Sequence, residues 1–117
     1  MPYIIGHKIY CLKKRIQRFK RGYADDDWWN LDIHYLNIMP KLLYKLADEG
    51  RGSPMGIEYD EWKNTLYRMA NLLERALYES TKACDSLDGY EKSGNISQEC
   101  MNEHFDLMKK WFFDLWD

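Results

Sequence analysis

Acidic side chains are missing from the first 22 residues, cysteine is scarce, and no apolar run is long. Each absence excludes something. Cys11, Cys84 and Cys100 are odd in number and widely spaced, with no Cys-x-x-Cys pair. That pattern argues against a disulfide scaffold or a zinc site and for a reducing compartment. Three histidines lie scattered without metal-ligand spacing, and no Ser–His–acid signature is present. No apolar stretch approaches the ~20 residues that cross a bilayer, and the N-terminus has no signal-peptide pattern. The expectation is a chain that lives in the cytoplasm without a membrane. β-Branched residues are few and no stretch sustains period-two alternation, so a sheet-based core is excluded as well.

What is present points to helices. At 117 residues, 45% hydrophobic and 31% charged, the chain has the composition of one soluble globular domain. That length buries about two-thirds of the unfolded surface in a single core. Charge is unevenly placed. Residues 1–22 hold seven of the 17 Lys+Arg, and the remainder holds ten basic and all 19 acidic residues. A basic N-terminal segment followed by an acidic body implies either self-complementation or two surfaces for different partners.

Ile5, Ile9, Leu12, Ile16 and Phe19 fall in one stripe at helical spacing. They predict a first helix from Tyr3 or Lys8 to Arg21. Lys8, Lys14, Arg15, Arg18 and Arg21 make its outer face, with Lys13 and Lys20 at the edge of the stripe. A second helix is expected from Asp26 to about Asp48. Its apolar face is Trp28, Leu31, Tyr35, Leu36, Met39, Leu42, Leu43 and Leu46. Asp32 falls inside that stripe, and a carboxylate buried there needs a partner or a proton. Pro40 sits mid-helix and lacks an N–H for the Leu36 carbonyl, which implies a kink or a division into two helices.

Gly50–Gly56, with three glycines and Pro54, is the clearest loop. A third helix is expected from near Tyr59 to Cys84 or Leu87, with Trp62, Leu66, Met69, Leu73, Ala76, Leu77 and Cys84 on its inner face. Asp88-Gly89 and Lys92-Ser93-Gly94-Asn95 predict a polar turn. The last helix then starts with Ser97 as N-cap. Its stripe is Met101, Phe105, Met108, Phe112, Leu115 and Trp116, with His104 and Trp111 on the flanks. Phe113 falls off the stripe and is expected at the surface. The fold class is all-α: one domain of about four main helices packed antiparallel, with a basic first helix over residues 3–21 and an acidic helical body over 25–117.

The junction between the first two helices is the most distinctive stretch. Gly22 is the expected helix stop, because glycine enters the left-handed conformation without a Cβ penalty. Arg18, Lys20 and Arg21 suit the negative end of the helix dipole. Asp25, Asp26 and Asp27 then suit the start of the next helix as capping carboxylates. The run Arg21-Gly22-Tyr23-Ala24-Asp25-Asp26-Asp27-Trp28-Trp29-Asn30-Leu31-Asp32 resembles the Arg-Gly-Tyr-Ser-Asp-x-Asp-x-Trp-Asn-Leu-Asp signature of small helical proteins encoded by phages and prophages of Gram-positive bacteria. The matching residues are Arg21, Gly22, Tyr23, Asp25, Asp27, Trp29, Asn30, Leu31 and Asp32. The similarity continues through Gly52-Ser53-Pro54, Glu61-Trp62-Lys63 and Asp114-Leu115-Trp116. No activity comes with the resemblance, because proteins of that kind are mostly of unknown function. It implies a phage origin and, with it, the cytoplasm of an infected bacterium. Ala24 stands where the signature has serine, so any capping by that serine passes to Asp25.

Three functional readings follow. The first is a non-enzymatic interaction protein that binds and modulates a host or defence complex, in the manner of an anti-CRISPR inhibitor. It needs no cofactor and no metal. Its partner-binding candidates are the basic face (Lys14, Arg15, Arg18, Arg21) and the aromatic C-terminal helix (Trp111, Phe113), and a 15% aromatic content suits interface anchors. A homo-oligomer is a further use of that aromatic surface. The second is a nucleic-acid-binding module that uses the basic helix, although the whole domain is acidic. The third is an all-α Mg-dependent nucleotide pyrophosphohydrolase with Glu58-x-x-Glu61 and Glu103-x-x-Asp106 as paired carboxylates.

Overall fold

A computed structural model describes residues 2–81 and 87–116. Among them are four α-helices, no strand and no cis peptide bond. The chain divides into two compact units, Met1–His34 and Tyr35–Asp117, with the boundary inside the second helix. Helix α1 spans Pro2–Arg21. Proline suits its first position, where a missing N–H costs nothing and the ring fixes a helical φ. Gly22 ends α1 with φ 87°, and its N–H donates to the Arg18 carbonyl at 2.9 Å. This is the left-handed stop that glycine supplies.

Helix α2 spans Leu31–Glu49, later than the expected start at Asp26. The residues between are turns, with Asp27 N–H on the Ala24 carbonyl at 3.1 Å and Trp29 N–H on the Asp26 carbonyl at 3.2 Å. The first helical bond of α2 is accepted by the Asn30 carbonyl from His34 N–H at 2.9 Å. Helix α2 runs through Pro40 as one element, not two, and Pro40 itself is buried. Its packed face is Pro40, Leu43 and Ala47, with Tyr35, Leu36, Met39, Tyr44 and Leu46 half-buried beside them. Asp32 is a correction. It shares the helical line of Leu36, Pro40 and Leu43, but burial along that line begins only at Leu36. Leu31, Asp32 and Ile33 of the first turn are all exposed. Trp28 and Leu42 are likewise exposed instead of lining the inner face.

Helix α3, Tyr59–Thr81, is the centre of the second unit. Trp62, Leu66, Met69, Ala70, Leu72, Leu73 and Ala76 are buried along it. Leu77 is half-buried, and Cys84 lies outside the described residues. Helix α4 spans Leu87–Trp111 and continues into a 3₁₀ turn over Phe112–Asp114. The expected polar turn is therefore helical, with Asp88-Gly89 and Lys92–Asn95 inside α4. Ser97 is no cap: its hydroxyl donates to the Ala76 carbonyl on α3 at 3.2 Å.

Within the second unit α3 and α4 run antiparallel. Trp62 packs edge-on to Trp111 at 5.4 Å between ring centres, Arg68 forks onto Glu103 at 2.7–3.1 Å, and Ser97 reaches Ala76. Helices α2 and α3 are antiparallel neighbours too, through Tyr44–Asn71 and Tyr67–Asp48 hydrogen bonds.

The inner line of α4 is Ser93, Cys100, His104 and Met108, not the aromatic stripe. Phe105, Phe112 and Trp116 are exposed. The reason is His104. It is fully buried, and both ring nitrogens have partners: Nδ1 lies 2.9 Å from the Met69 carbonyl and Nε2 lies 2.6 Å from the Tyr35 hydroxyl. A carbonyl can only accept, so Nδ1 carries the proton and Nε2 accepts from Tyr35. One side chain thus ties α2, α3 and α4 together. With both nitrogens satisfied, a polar ring can take the centre of the interface at little cost.

Burial holds the His104 pKa below its ordinary 6.5, against the opposing pull of the Met69 carbonyl, and holds the Tyr35 hydroxyl above its ordinary 10.0. For His104 the folded state prefers the neutral ring, so its contribution is complete above pH ~6.5 and is lost as pH falls below that value. Urea midpoints should therefore drop between pH 7.5 and 5.5. Tyr35→Phe, which leaves Nε2 buried without a donor, should cost about 1–3 kcal/mol at pH 7.5. Asp32→Ala should leave the midpoint within about 0.5 kcal/mol, as for an ordinary surface position.

Candidate interaction surface

The first unit is held by charge. Three cations on α1 meet the three consecutive aspartates that follow Gly22. Lys14 pairs with Asp26, Arg18 with Asp27 and Arg21 with Asp25. The Arg18 guanidinium uses Nε and Nη2 on the two oxygens of Asp27, at 3.2 and 2.8 Å. Tyr10 adds its hydroxyl to Asp26, and the Gln17 amide brackets Asp25, donating to its carboxylate at 2.8 Å and accepting its N–H at 3.0 Å. Arg21 also donates to the Tyr23 carbonyl at 2.9 Å and lies 4.5 Å from the Tyr23 ring centre. Asp27 accepts the N–H of Ala24 at 2.8 Å, and Ala24 is the one fully buried residue of this unit among those described.

The three aspartates are therefore not caps on α2. They fold back on the helix behind them, because four basic residues lie within its last two turns and α2 has not begun. The signature-like residues Arg21, Gly22, Tyr23, Asp25 and Asp27 serve this reversal. Trp29 packs at right angles to Trp28, 6.1 Å between ring centres, and both rings are exposed. Hydrogen bonding by Arg18, then by the Ala24 N–H, takes the Asp27 pKa down to about 2. Arg21 chiefly lowers Asp25, and Lys14 chiefly lowers Asp26.

Of the basic face, then, Lys14, Arg18 and Arg21 are engaged within their own chain, whereas Arg15 stands exposed outside these ion pairs. Tyr10 and Gln17 are members of the network that hydropathy and charge counting do not single out. Their spacing of four from Lys14 and Arg21 is the sequence signal for them.

In the second unit the two aromatic candidates separate. Trp111 is half-buried against Trp62, and Phe113 is 88% exposed. Phe112 and Trp116 join Phe113 at the surface, and Phe112 and Phe113 stand perpendicular at 5.3 Å. The aromatic surface at this end is thus Phe112, Phe113 and Trp116. Beside it, Trp62, Asp114 and Trp116 line a cleft with Gly52-Ser53-Pro54.

Among the described residues no group of three or more His, Cys, Asp and Glu is arranged to hold a metal ion. Glu103 of the expected carboxylate pairs is held by Arg68. No helix among the described residues is long and apolar enough to cross a membrane. Compared with models of protein families, with curated proteins and with solved structures, the chain finds no match.

The ion-paired turn yields an acid-sensitive prediction. The folded pKa values of Asp25, Asp26 and Asp27 lie below their ordinary 3.8, so their contribution is complete above that pH and is lost as pH falls toward 2. Carboxyl-carbon NMR titration should show Asp27 as the last of the three to protonate. Arg18→Ala should return Asp27 toward its ordinary value and leave Asp25 low, since Arg21 and Gln17 still hold Asp25. An unmoved Asp27 in that variant would mean the ion pair does not form.

Proposed function

We propose that this chain is a phage-encoded, non-enzymatic interaction protein that binds a host or defence protein complex and alters its behaviour, in the manner of an anti-CRISPR inhibitor. It acts in the cytoplasm of the infected bacterium. The observation that carries the proposal is the aromatic surface closing the second unit: Phe112, Phe113 and Trp116 are 57%, 88% and 74% exposed. Aromatic side chains that water covers at an energetic cost are common anchors of protein interfaces. The phage origin rests on the resemblance around Arg21–Asp32. The nucleic-acid reading is weaker, since Lys14, Arg18 and Arg21 already have carboxylate partners and are not free for phosphate.

Phe113→Asp tests the proposal. Among the described residues Phe113 makes its one ring contact with Phe112, so the variant should fold with an unchanged urea midpoint within about 0.5 kcal/mol. It should lose capture of the host complex by the tagged protein in infected cells and lose protection of the phage. A folded variant that keeps both activities would remove this end of the molecule as the interface.

A further inference from the structure

The apolar residues of α1 follow one another at intervals of four, three, four and three: Ile5, Ile9, Leu12, Ile16, Phe19. This is the seam spacing of a heptad repeat, with Ile9 and Ile16 at a and with Ile5, Leu12 and Phe19 at d. All five are exposed, from 45% at Ile16 to 92% at Phe19. The positions that flank such a seam are e and g. Here e is Lys13 and Lys20, and g is Lys8 and Arg15, so every flanking residue from Lys8 to Lys20 is basic. None of the four is in an ion pair among the described residues.

Much of the opposite side of the helix is occupied. Tyr10 and Gln17 at b, Arg18 at c, and Lys14 and Arg21 at f are the side chains held by Asp25, Asp26 and Asp27. In an ordinary coiled coil b, c and f face water and the seam is covered. Here the following turn takes b, c and f, and the seam is open. The acidic groups of this unit's turn are engaged on one side of α1; of the four flanking cations Lys13 acts on Asp25 at a distance, and none of the four is drawn into an ion pair among the described residues.

We infer that α1 docks as one strand of a heterotypic coiled coil, on a partner helix with an apolar a/d seam and acidic residues at its e and g positions. The inference rests on the reading of the chain as an interaction protein and names the chemistry of one partner. Charge decides the occupant. A second copy of α1 would set basic g residues against basic e or g residues in either orientation, and like charges across the seam repel. A lipid surface suits a broad apolar face, whereas a strict a/d stripe is the narrower coiled-coil seam. Nucleic acid offers nothing to five bulky apolar side chains lying between the two basic rows. Isoleucine at both a positions, with leucine at the central d, favours a two-stranded parallel pairing.

The test uses the full-length protein and two synthetic helical peptides with Ile at a and Leu at d. One has Glu at every e and g position, the other Lys. Fluorescence anisotropy should give roughly tenfold or tighter binding to the Glu peptide, with the preference shrinking as salt rises. Combined Lys8→Glu, Lys13→Glu, Arg15→Glu and Lys20→Glu should invert the preference, and Ile9→Asp with Ile16→Asp should abolish binding of both peptides. Circular dichroism checks that the helix survives. If the fourfold reversal loses helicity, Phe19→Ser is the substitute, since that side chain is 92% exposed, and it should weaken Glu-peptide binding severalfold at unchanged helicity. Four outcomes overturn the inference: equal binding of both peptides, binding of neither, sedimentation with phosphatidylglycerol vesicles in preference to the Glu peptide, or self-association through α1 in the ultracentrifuge. None of them touches the Phe113→Asp result, so this seam and the broader function can fail separately.

Discussion

Seven cations and no anions on the first 22 residues are a local electrostatic problem that the chain solves locally. Lys14, Arg18 and Arg21 advance along α1 at helical spacing, so their charged ends lie on one side of it. Three consecutive carboxylates, arriving directly after the glycine that stops the helix, can each reach one of them. This pairing dictates what surrounds it. Gly22 must reverse the chain, Ala24 must be small enough to be buried under the turn, and α2 cannot begin until the aspartates have been used. The start of α2 at Leu31 follows from that order of events.

The second unit obeys a different constraint. Among the described residues its buried side chains are apolar apart from Ser93 and His104, and His104, 0% exposed, is tolerated because two fixed partners exhaust its hydrogen-bonding capacity. Tyr35 comes from α2 and Met69 from α3, so the ring sets the register of three helices at once. Apolar side chains alone pack with some freedom to slide, while a buried donor and acceptor fix positions. Arg68–Glu103 and Ser97–Ala76 hold the same alignment of α3 and α4 at the periphery.

Periodicity made the helices legible, and the inner face of α3 was readable almost residue by residue, because its core side chains are apolar and evenly spaced. The same method misplaced the face of α4. A hydropathy count puts Phe105 inward and His104 on the flank, and it cannot know that Tyr35 and Met69 will satisfy the imidazole. Asp32 failed for a related reason. Its angular position on α2 was correct, but angle says nothing about where along a helix the packing starts. At the junction, capping and ion pairing both call for acidic residues after a basic helix end, and only the position of the next helix separates them. The bland expectation for Phe113, a ring off the stripe and in water, needed angle alone and matches its 88% exposure.

The two kinds of surface respond to different conditions. Aromatic rings at Phe112, Phe113 and Trp116 would act through area removed from water, an effect that ordinary salt changes little. The basic rows beside the α1 seam act through charge, which at physiological ionic strength fades over about 8 Å. They would steer an encounter and select its orientation while contributing little to its lifetime. Internal pairing sharpens that selectivity. With Lys14, Arg18 and Arg21 paired to Asp26, Asp27 and Asp25, the cations of α1 that are in no ion pair among the described residues include those of the strip that borders its exposed isoleucines. A uniformly basic helix would attract any polyanion; one whose outer charges are already paired presents its remaining cations only together with an apolar seam. An acidic surface without apolar groups, or an apolar surface without acidic ones, satisfies half of that face and leaves the other half desolvated at a cost.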